Sequence, residues 1–184
     1  MLKILAICGS SRKNSFNKML LNETIEIMKN TIEIEIFNIG SFPLFNQDME
    51  NNLPSEIIEF KNKIKNSDAI LFVSPEYNYS ISGVLKNAID WASRPFPDNS
   101  WENKPCAIMG ASTSGFGTLR AQLALRQTLV FLKMLPINNE FYVSKAQDVF
   151  NENGKIIDET LKSKINIHIM ALIDWTNKMK SLNK

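Results

Sequence analysis

The chain has 184 residues, 44% hydrophobic and 22% charged. That fits one globular domain with a buried core and excludes disorder or a coiled coil as a description of the whole. Lysine and arginine total 21 against 19 acidic residues, a net charge of +2, too balanced for a chain whose main work is neutralising nucleic-acid backbone. The expected partner is a small molecule, and the scarce arginines, Arg12, Arg94, Arg120 and Arg126, mark where a planar cationic fork should matter most.

Leu2 to Cys8 is an aliphatic run ended by Gly9, Ser10 and Ser11, which predicts a buried strand entering a polar turn. Phe16 to Lys29 has a helical apolar period with Ser15 placed as N-cap. Ile32 to Phe37 alternates isoleucine with glutamate, the pattern of an edge strand with one face exposed. Asn38 to Leu53 is a long loop. Pro54 and Ser55 open a helix through Asn66 with Ile57, Phe60, Lys61 and Ile64 on one side. Ala69 to Val73 is a fully apolar strand, followed by the polar loop Ser74 to Ser80. Gly83 to Ser93 predicts a third helix closed by Pro95 and Pro97. Pro105 to Gly110 is a fourth strand, Ala111 to Gly117 a small-residue loop, and Thr118 to Lys133 a long helix. A fifth strand lies within Pro136 to Val143, and a last helix runs from about Asp158 to Met179.

Cys8 and Cys106 sit in apolar runs without a second cysteine or histidine at ligand spacing, so they read as reduced core thiols rather than metal ligands. No metal site is expected. The first residues lack a signal-peptide pattern and no run approaches the ~20 apolar residues of a membrane span, so a cytoplasmic protein away from membranes is expected.

Five strands alternating with helices, over residues 1–184 and without repeat or linker, predict one α/β domain: a parallel sheet of order 2-1-3-4-5 covered on both faces. Right-handed crossovers then bring the loops after strands one, three and four to one edge, where doubly wound sheets bind ligands. The first loop, Gly9-Ser10-Ser11-Arg12-Lys13-Asn14-Ser15-Phe16-Asn17, combines hydroxyls, an arginine and a helix N-terminus, groups suited to a phosphate. It is neither a Rossmann fingerprint nor a P-loop. The third-strand loop supplies Pro75, Glu76, Tyr77, Asn78 and Tyr79, with aromatic faces for a planar ligand. The fourth-strand loop, Ala111-Ser112-Thr113-Ser114-Gly115-Phe116-Gly117, offers backbone N–H groups that glycines leave approachable. A phosphate at one loop and a planar heterocycle between two others describe a mononucleotide, and flavin mononucleotide (FMN) fits best.

These motifs resemble the NAD(P)H-dependent FMN reductases of the flavodoxin-like superfamily, which include quinone, chromate and azo reductases. The likeness rests on the first loop, on Pro75-Glu76-Tyr77-Asn78, on Gly83 to Trp91, and on Gly115-Phe116-Gly117 leading into Arg120-Ala121-Gln122 and Leu125-Arg126-Gln127. It implies that Ser10, Arg12, Ser15 and Asn17 hold the FMN phosphate with Phe16 beside them. It further implies that Pro75, Glu76, Tyr77 and Asn78 line the ribityl chain and ring, and that Ser112, Ser114 and Gly115 approach the ring's polar edge. Ser82 and Thr118 depart from the family pattern, which has proline and glycine there.

The resemblance implies hydride transfer from NADPH or NADH to the flavin, then two electrons to a small acceptor: a flavin, quinone, azo compound or metal oxyanion. No side chain is needed as a catalytic acid or base, and the lone His168 reads as structural. Glu76 reads as a ligand-loop or subunit-contact residue rather than a nucleophile. The alternative is an FMN-binding electron carrier or redox sensor without turnover. The wide apolar faces of the third and fourth helices, taken with the resemblance, predict a homodimer or homotetramer.

Overall fold

The computed structural model describes residues 1–182. Six strands and five helices follow in the order β1 (Lys3–Cys8), α1 (Phe16–Met28), β2 (Glu33–Phe37), α2 (Ser55–Asn66), β3 (Ala69–Val73), α3 (Gly83–Ala92), β4 (Pro105–Ala111), α4 (Leu119–Phe131), β5 (Leu135–Pro136), β6 (Tyr142–Val143) and α5 (Glu159–Leu182). The sheet is parallel in the order β2-β1-β3-β4-β5, with β6 also on β4. This is the expected flavodoxin-like arrangement. Strand pleating sends alternate side chains to opposite faces. Ile4, Ala6, Leu71 and Met109 pack with α1 and α5, while Leu5, Ile7, Phe72 and Ile108 pack with α2, α3 and α4.

The fifth position differs from the expected single strand. β5 pairs only with Pro105 and Cys106, and β6 only with Gly110 and Ala111. Between them Asn138 to Phe141 leaves the sheet, and α4 meets the carbonyls so exposed. Arg126 donates to Ile137 O and Asn139 O at 2.8 and 2.9 Å, and Gln122 donates to Phe141 O at 2.9 Å.

Smaller differences have local causes. Edge strand β2 leaves Ile36 46% exposed, because little packs against that end of the strand. The last helix runs to Leu182 rather than Met179. Cys106 is fully buried, as expected of a core thiol, and burial pushes its pKa up. Cys8 is only half-buried, at the exit of β1.

Lys61 is buried on the apolar side of α2, a costly place for an ammonium unless it is partnered. Its Nζ donates to Asp98 O at 2.8 Å and to Arg94 O, and lies 3.4 Å from the Asp98 carboxylate. It thus fastens the turn that follows α3. The same burial pulls its pKa down. Asn87 and Trp91 of α3 fix the long loop after β2. Phe45 N donates to Asn87 Oδ1 at 2.7 Å, and Asn87 Nδ2 and Trp91 Nε1 both donate to Pro43 O at 2.8 Å.

Candidate functional site

β1, β3 and β4 are parallel neighbours, so the loops that follow them leave the sheet at one edge. Strand order reverses between β1 and β3, the switch point at which such sheets take ligands. A cleft of about 140 Å³ opens there. Ser10, Arg12, Ser15, Phe16 and Asn17 line it from the first loop, Pro75, Glu76 and Tyr77 from the second, and Ala111, Ser112 and Thr113 from the third. Of the residues expected at the site, Asn78, Ser114 and Gly115 stand outside this lining. Ala111 and Thr113 are additions; both belong to the small-residue loop Ala111 to Gly117, whose composition marks the region without singling them out.

The first loop carries donors that the protein leaves unused. Ser15 Oγ caps α1, accepting from Asn17 N at 3.2 Å and Lys18 N at 3.4 Å, and its own hydroxyl proton remains free to donate. Among the described residues, the backbone N–H groups of Ser11 to Ser15 have no protein acceptor. Three arginines have protein partners: Arg94 on Glu50 at 2.6 Å, Arg120 on Glu76 at 3.6 Å, and Arg126 on the carbonyls of the split strand. Among the described residues Arg12 alone of the four has neither an ion-pair nor a hydrogen-bond partner. An unpaired guanidinium beside unpaired N–H groups at a helix start is an anion-binding donor set.

Asn17 is spent differently from expectation. It is buried, and its amide both donates to Ala111 O and accepts from Ala111 N, each at 2.9 Å. β3 turns away at Ser74 and Pro75, leaving the end of β4 without a strand partner on that side. The side-chain amide of Asn17 takes the place of the missing peptide group, and so ties the first loop to the third.

Glu76 also faces protein. Its Oε2 accepts from Arg120 N at 2.9 Å and Ala121 N at 3.1 Å, where a carboxylate stabilises both the free N–H groups and the dipole of α4. The Arg120 guanidinium lies 4.2 Å from the centroid of the Tyr79 ring and 4.8 Å from that of Phe116, a cation held between two aromatic faces. Tyr77 and Ser80 exchange backbone hydrogen bonds of 3.0 and 2.9 Å around Asn78 and Tyr79, whose φ angles are +50° and +65°. Asparagine accepts that left-handed conformation readily and tyrosine does not. The stack on Arg120 helps hold Tyr79 there, and Asn78 is left exposed at the rim.

In the third loop Ser114 serves the loop itself: its N–H donates to Ser112 Oγ and its Oγ to Gly117 O, both at 3.2 Å. A side chain at Gly115 would meet nothing within 4 Å, whereas Gly117, at φ +59°, would place one 3.0 Å from Tyr142. Gly117 is therefore a structural requirement, and Gly115 leaves room at the rim.

The two departures from the resembled pattern both make hydrogen bonds. Ser82 caps α3, accepting from Leu85 N at 3.3 Å, and donates to Gly9 O at 2.5 Å, joining the second loop to the first. Thr118 is fully buried with φ −119°, a conformation that needs no glycine, and its Oγ1 accepts from Gln122 Nε2 at 2.9 Å.

A larger groove of about 460 Å³ runs between the starts of β1 and β2 and helix α2. It lies at the opposite edge of the sheet from the three loops, and Lys63 and Glu35 pair across it at 2.5 Å. His168 lies in α5, buried against Phe141 with ring centroids 5.1 Å apart. Burial, with repulsion from Arg126, pushes its pKa down to about 4, and it lies outside the cleft.

The sequence model of NADPH-dependent FMN reductases matches residues 2–148. An NAD(P)H-dependent FMN reductase of Pseudomonas aeruginosa is 44% identical over 181 residues, covering 97% of each chain. An NAD(P)H:quinone oxidoreductase of Solanum tuberosum is 43% identical over 187 residues, covering 97% of this chain and 95% of the relative. Among solved structures, FerB, a flavoenzyme NAD(P)H:(acceptor) oxidoreductase of Paracoccus denitrificans, superposes with a TM-score of 0.91 at 32% identity. The match covers 97% of this chain and 99% of that one.

Proposed function

The chain belongs to the family of NADPH-dependent FMN reductases, and from that premise we propose that it is an NAD(P)H-dependent FMN oxidoreductase whose acceptor is a small molecule of the quinone or flavin class. Its relatives are named for those two acceptors. The observation that carries the assignment of the site is the unpaired Arg12 set beside the unused N–H groups of the first loop in the cleft at the switch point.

The donor set fits the phosphate end of FMN. Arg12 supplies charge, and the hydroxyls of Ser10 and Ser15 with the loop's N–H groups supply directional donors. Asn17 acts through Ala111, holding the first loop at the right separation from the third. Pro75, Glu76, Tyr77 and Asn78 shape the second wall, Glu76 by fixing the start of α4 and Asn78 from the rim. Ser112, Ser114 and Gly115 form the edge where the ring's polar side would lie. The chemistry that bound FMN supplies is two-electron exchange between a reduced nicotinamide nucleotide and the acceptor. The chain's own work is to bind, orient and shield, and it needs no side-chain acid or base.

A cleft of about 140 Å³ takes the phosphate end and leaves the ring system toward the open rim. α3 buries its apolar residues in the molecule's own core. α4 does not: Leu123, Val130 and Phe131 are 51%, 62% and 83% exposed, and on one helix face. A second copy of the chain covers that stripe, giving a homodimer, with a tetramer as the higher assembly. The setting is the cytoplasm, where the thiols of Cys8 and Cys106 stay reduced.

Anaerobic mixing of the FMN-loaded protein with NADPH and with NADH tests the function. Loss of the flavin band near ~450 nm with at least one donor, reversed by a quinone, is expected. A band unchanged by both donors refutes the reductase assignment. Sedimentation tests the assembly, and a stable monomer with full activity removes the dimer.

A further inference from the structure

The family match ends at residue 148, and the chain that follows immediately returns to the phosphate end of the cleft. Phe150 is buried and stacks on Phe16, ring centroids 5.9 Å apart and planes 23° from parallel. Phe16 is the first residue of α1 and lines the cleft; Phe150 does not line it. The stack is the end of a longer fastening. Phe150 bridges to Ile156, closing a turn whose Gly154, at φ +72°, lies so near α1 that a side chain there would stand 3.1 Å from Met19. One turn further along α1, the buried Glu23 accepts from Ile156 N at 2.9 Å and pairs with Lys155 at 2.9 Å. The segment therefore grips α1 at Phe16, Met19 and Glu23, along the side that begins at the phosphate loop.

We propose that Phe150 is a positioning residue for the phosphate loop: its ring fixes Phe16, and through it the start of α1, so that Ser15, Arg12 and the loop's free N–H groups are already arranged for the phosphate. The inference rests on the reading that this loop holds the FMN phosphate. Among the described residues the N–H groups of Ser11 to Ser15 have no protein acceptor, and Ser11 to Asn14 are exposed, so the loop is positioned by its anchored end at Ser15 and Phe16. Without the stack, the loop's ordering cost falls on the binding step. That cost touches only ligands that carry a phosphate.

The test compares FMN with riboflavin, the same ring and chain without the phosphate, by fluorescence-quenching titration of the full-length FMN-free protein. Wild type binds FMN more tightly than riboflavin. Phe150→Leu weakens FMN by about two- to tenfold, the range of a lost aromatic pair, leaves riboflavin unchanged, and speeds amide exchange at Asn17, Lys18 and Met19, whose N–H groups bond to Ser15. Phe150→Tyr, which keeps the ring, restores FMN affinity. If Phe150→Leu does not fold, Phe150→Met fills the same space without a ring and carries the comparison. An FMN-to-riboflavin ratio unchanged in a folded, ring-less variant overturns the proposal alone. Equal wild-type affinities for the two flavins overturn the phosphate reading, and the proposal with it.

Discussion

Asn17 separates two accounts of the first loop. If its amide were a phosphate ligand, Asn17→Ala would weaken FMN and leave the empty protein intact. The geometry puts the primary effect on the empty protein, with any loss of FMN affinity following from it. Truncation removes both 2.9 Å hydrogen bonds to Ala111 and leaves that residue's N–H and C=O without partners at a buried position. Each unpaired backbone group costs about 1 to 3 kcal/mol, and water entering from the cleft relieves part of this, so a loss of about 2 to 4 kcal/mol is expected. In a chain of this size each kcal/mol moves the midpoint by about 2 to 4 °C. The FMN-free variant should therefore melt roughly 4 to 16 °C below the FMN-free wild type, a range that follows from the two preceding estimates. Circular dichroism melts of the two apoproteins measure this directly. An unchanged midpoint together with a more than tenfold loss of FMN affinity would refute the clamp and make Asn17 a direct ligand.

Arg12→Ala should do the opposite. FMN affinity falls by about 1.5 to 3 kcal/mol, roughly ten- to a hundredfold, while riboflavin affinity and the apoprotein midpoint stay put because Arg12 has no partner among the described residues; an unchanged FMN Kd counts against it. Glu76→Ala removes the carboxylate from the start of α4 and should lower stability by about 1 to 2 kcal/mol in urea titration, a loss that Glu76→Gln recovers in part. Gly110→Ala puts a Cβ 2.2 Å from Thr118 Oγ1 and 2.4 Å from Ser74 O and should yield little folded protein. Adding Thr118→Gly relieves only the first clash, so full rescue would show that the strand can shift away from Ser74. His168 resists protonation when folded, because burial pushes its pKa down to about 4 from the ordinary 6.5. The unfolded chain then binds the extra proton between those values, so stability falls as pH drops from 6.5 toward 4, by up to roughly 3 kcal/mol. His168→Gln should flatten that part of the urea-stability profile, and an identical slope in the variant would exclude His168 as its source.

The alternation of apolar runs and amphipathic stretches carried most of the fold. A parallel sheet of five positions follows from it, and the crossover rule leaves few orders for such a sheet. The fifth position escaped because nothing local marks where a strand leaves its sheet for Asn138 to Phe141. What permits the break is Gln122 and Arg126 on a helix already past, accepting the role of strand partners. The content of the cleft was legible for a related reason: polar loops after buried strands are few, and topology brings them together. The employment of each residue was not. Asn17 finds its partner 94 residues away and Glu76 its own 44 and 45 away, and spacing says nothing about which of two acceptors an amide or carboxylate will meet.

The three loops are tied to one another pairwise through side-chain groups bound to backbone: Asn17 joins the first to the third, Ser82 the second to the first, and Glu76 the second to the helix that the third loop enters. Each tie satisfies a peptide group left bare where a strand diverges or a helix begins, so the rigidity of the cleft arises from the need to pair backbone groups. Groups used in this way are lost to a ligand. What remains free is Arg12, the outward proton of Ser15, Ser10 and the N–H groups of the first loop, and these are also the groups a phosphate would need. A site whose walls are fixed by some residues and whose donors are left idle in others has already met most of the ordering cost of binding. FMN should therefore enter with little movement of the backbone, and loss of any one tie should weaken binding through the frame even though the tying residue need not touch the cofactor.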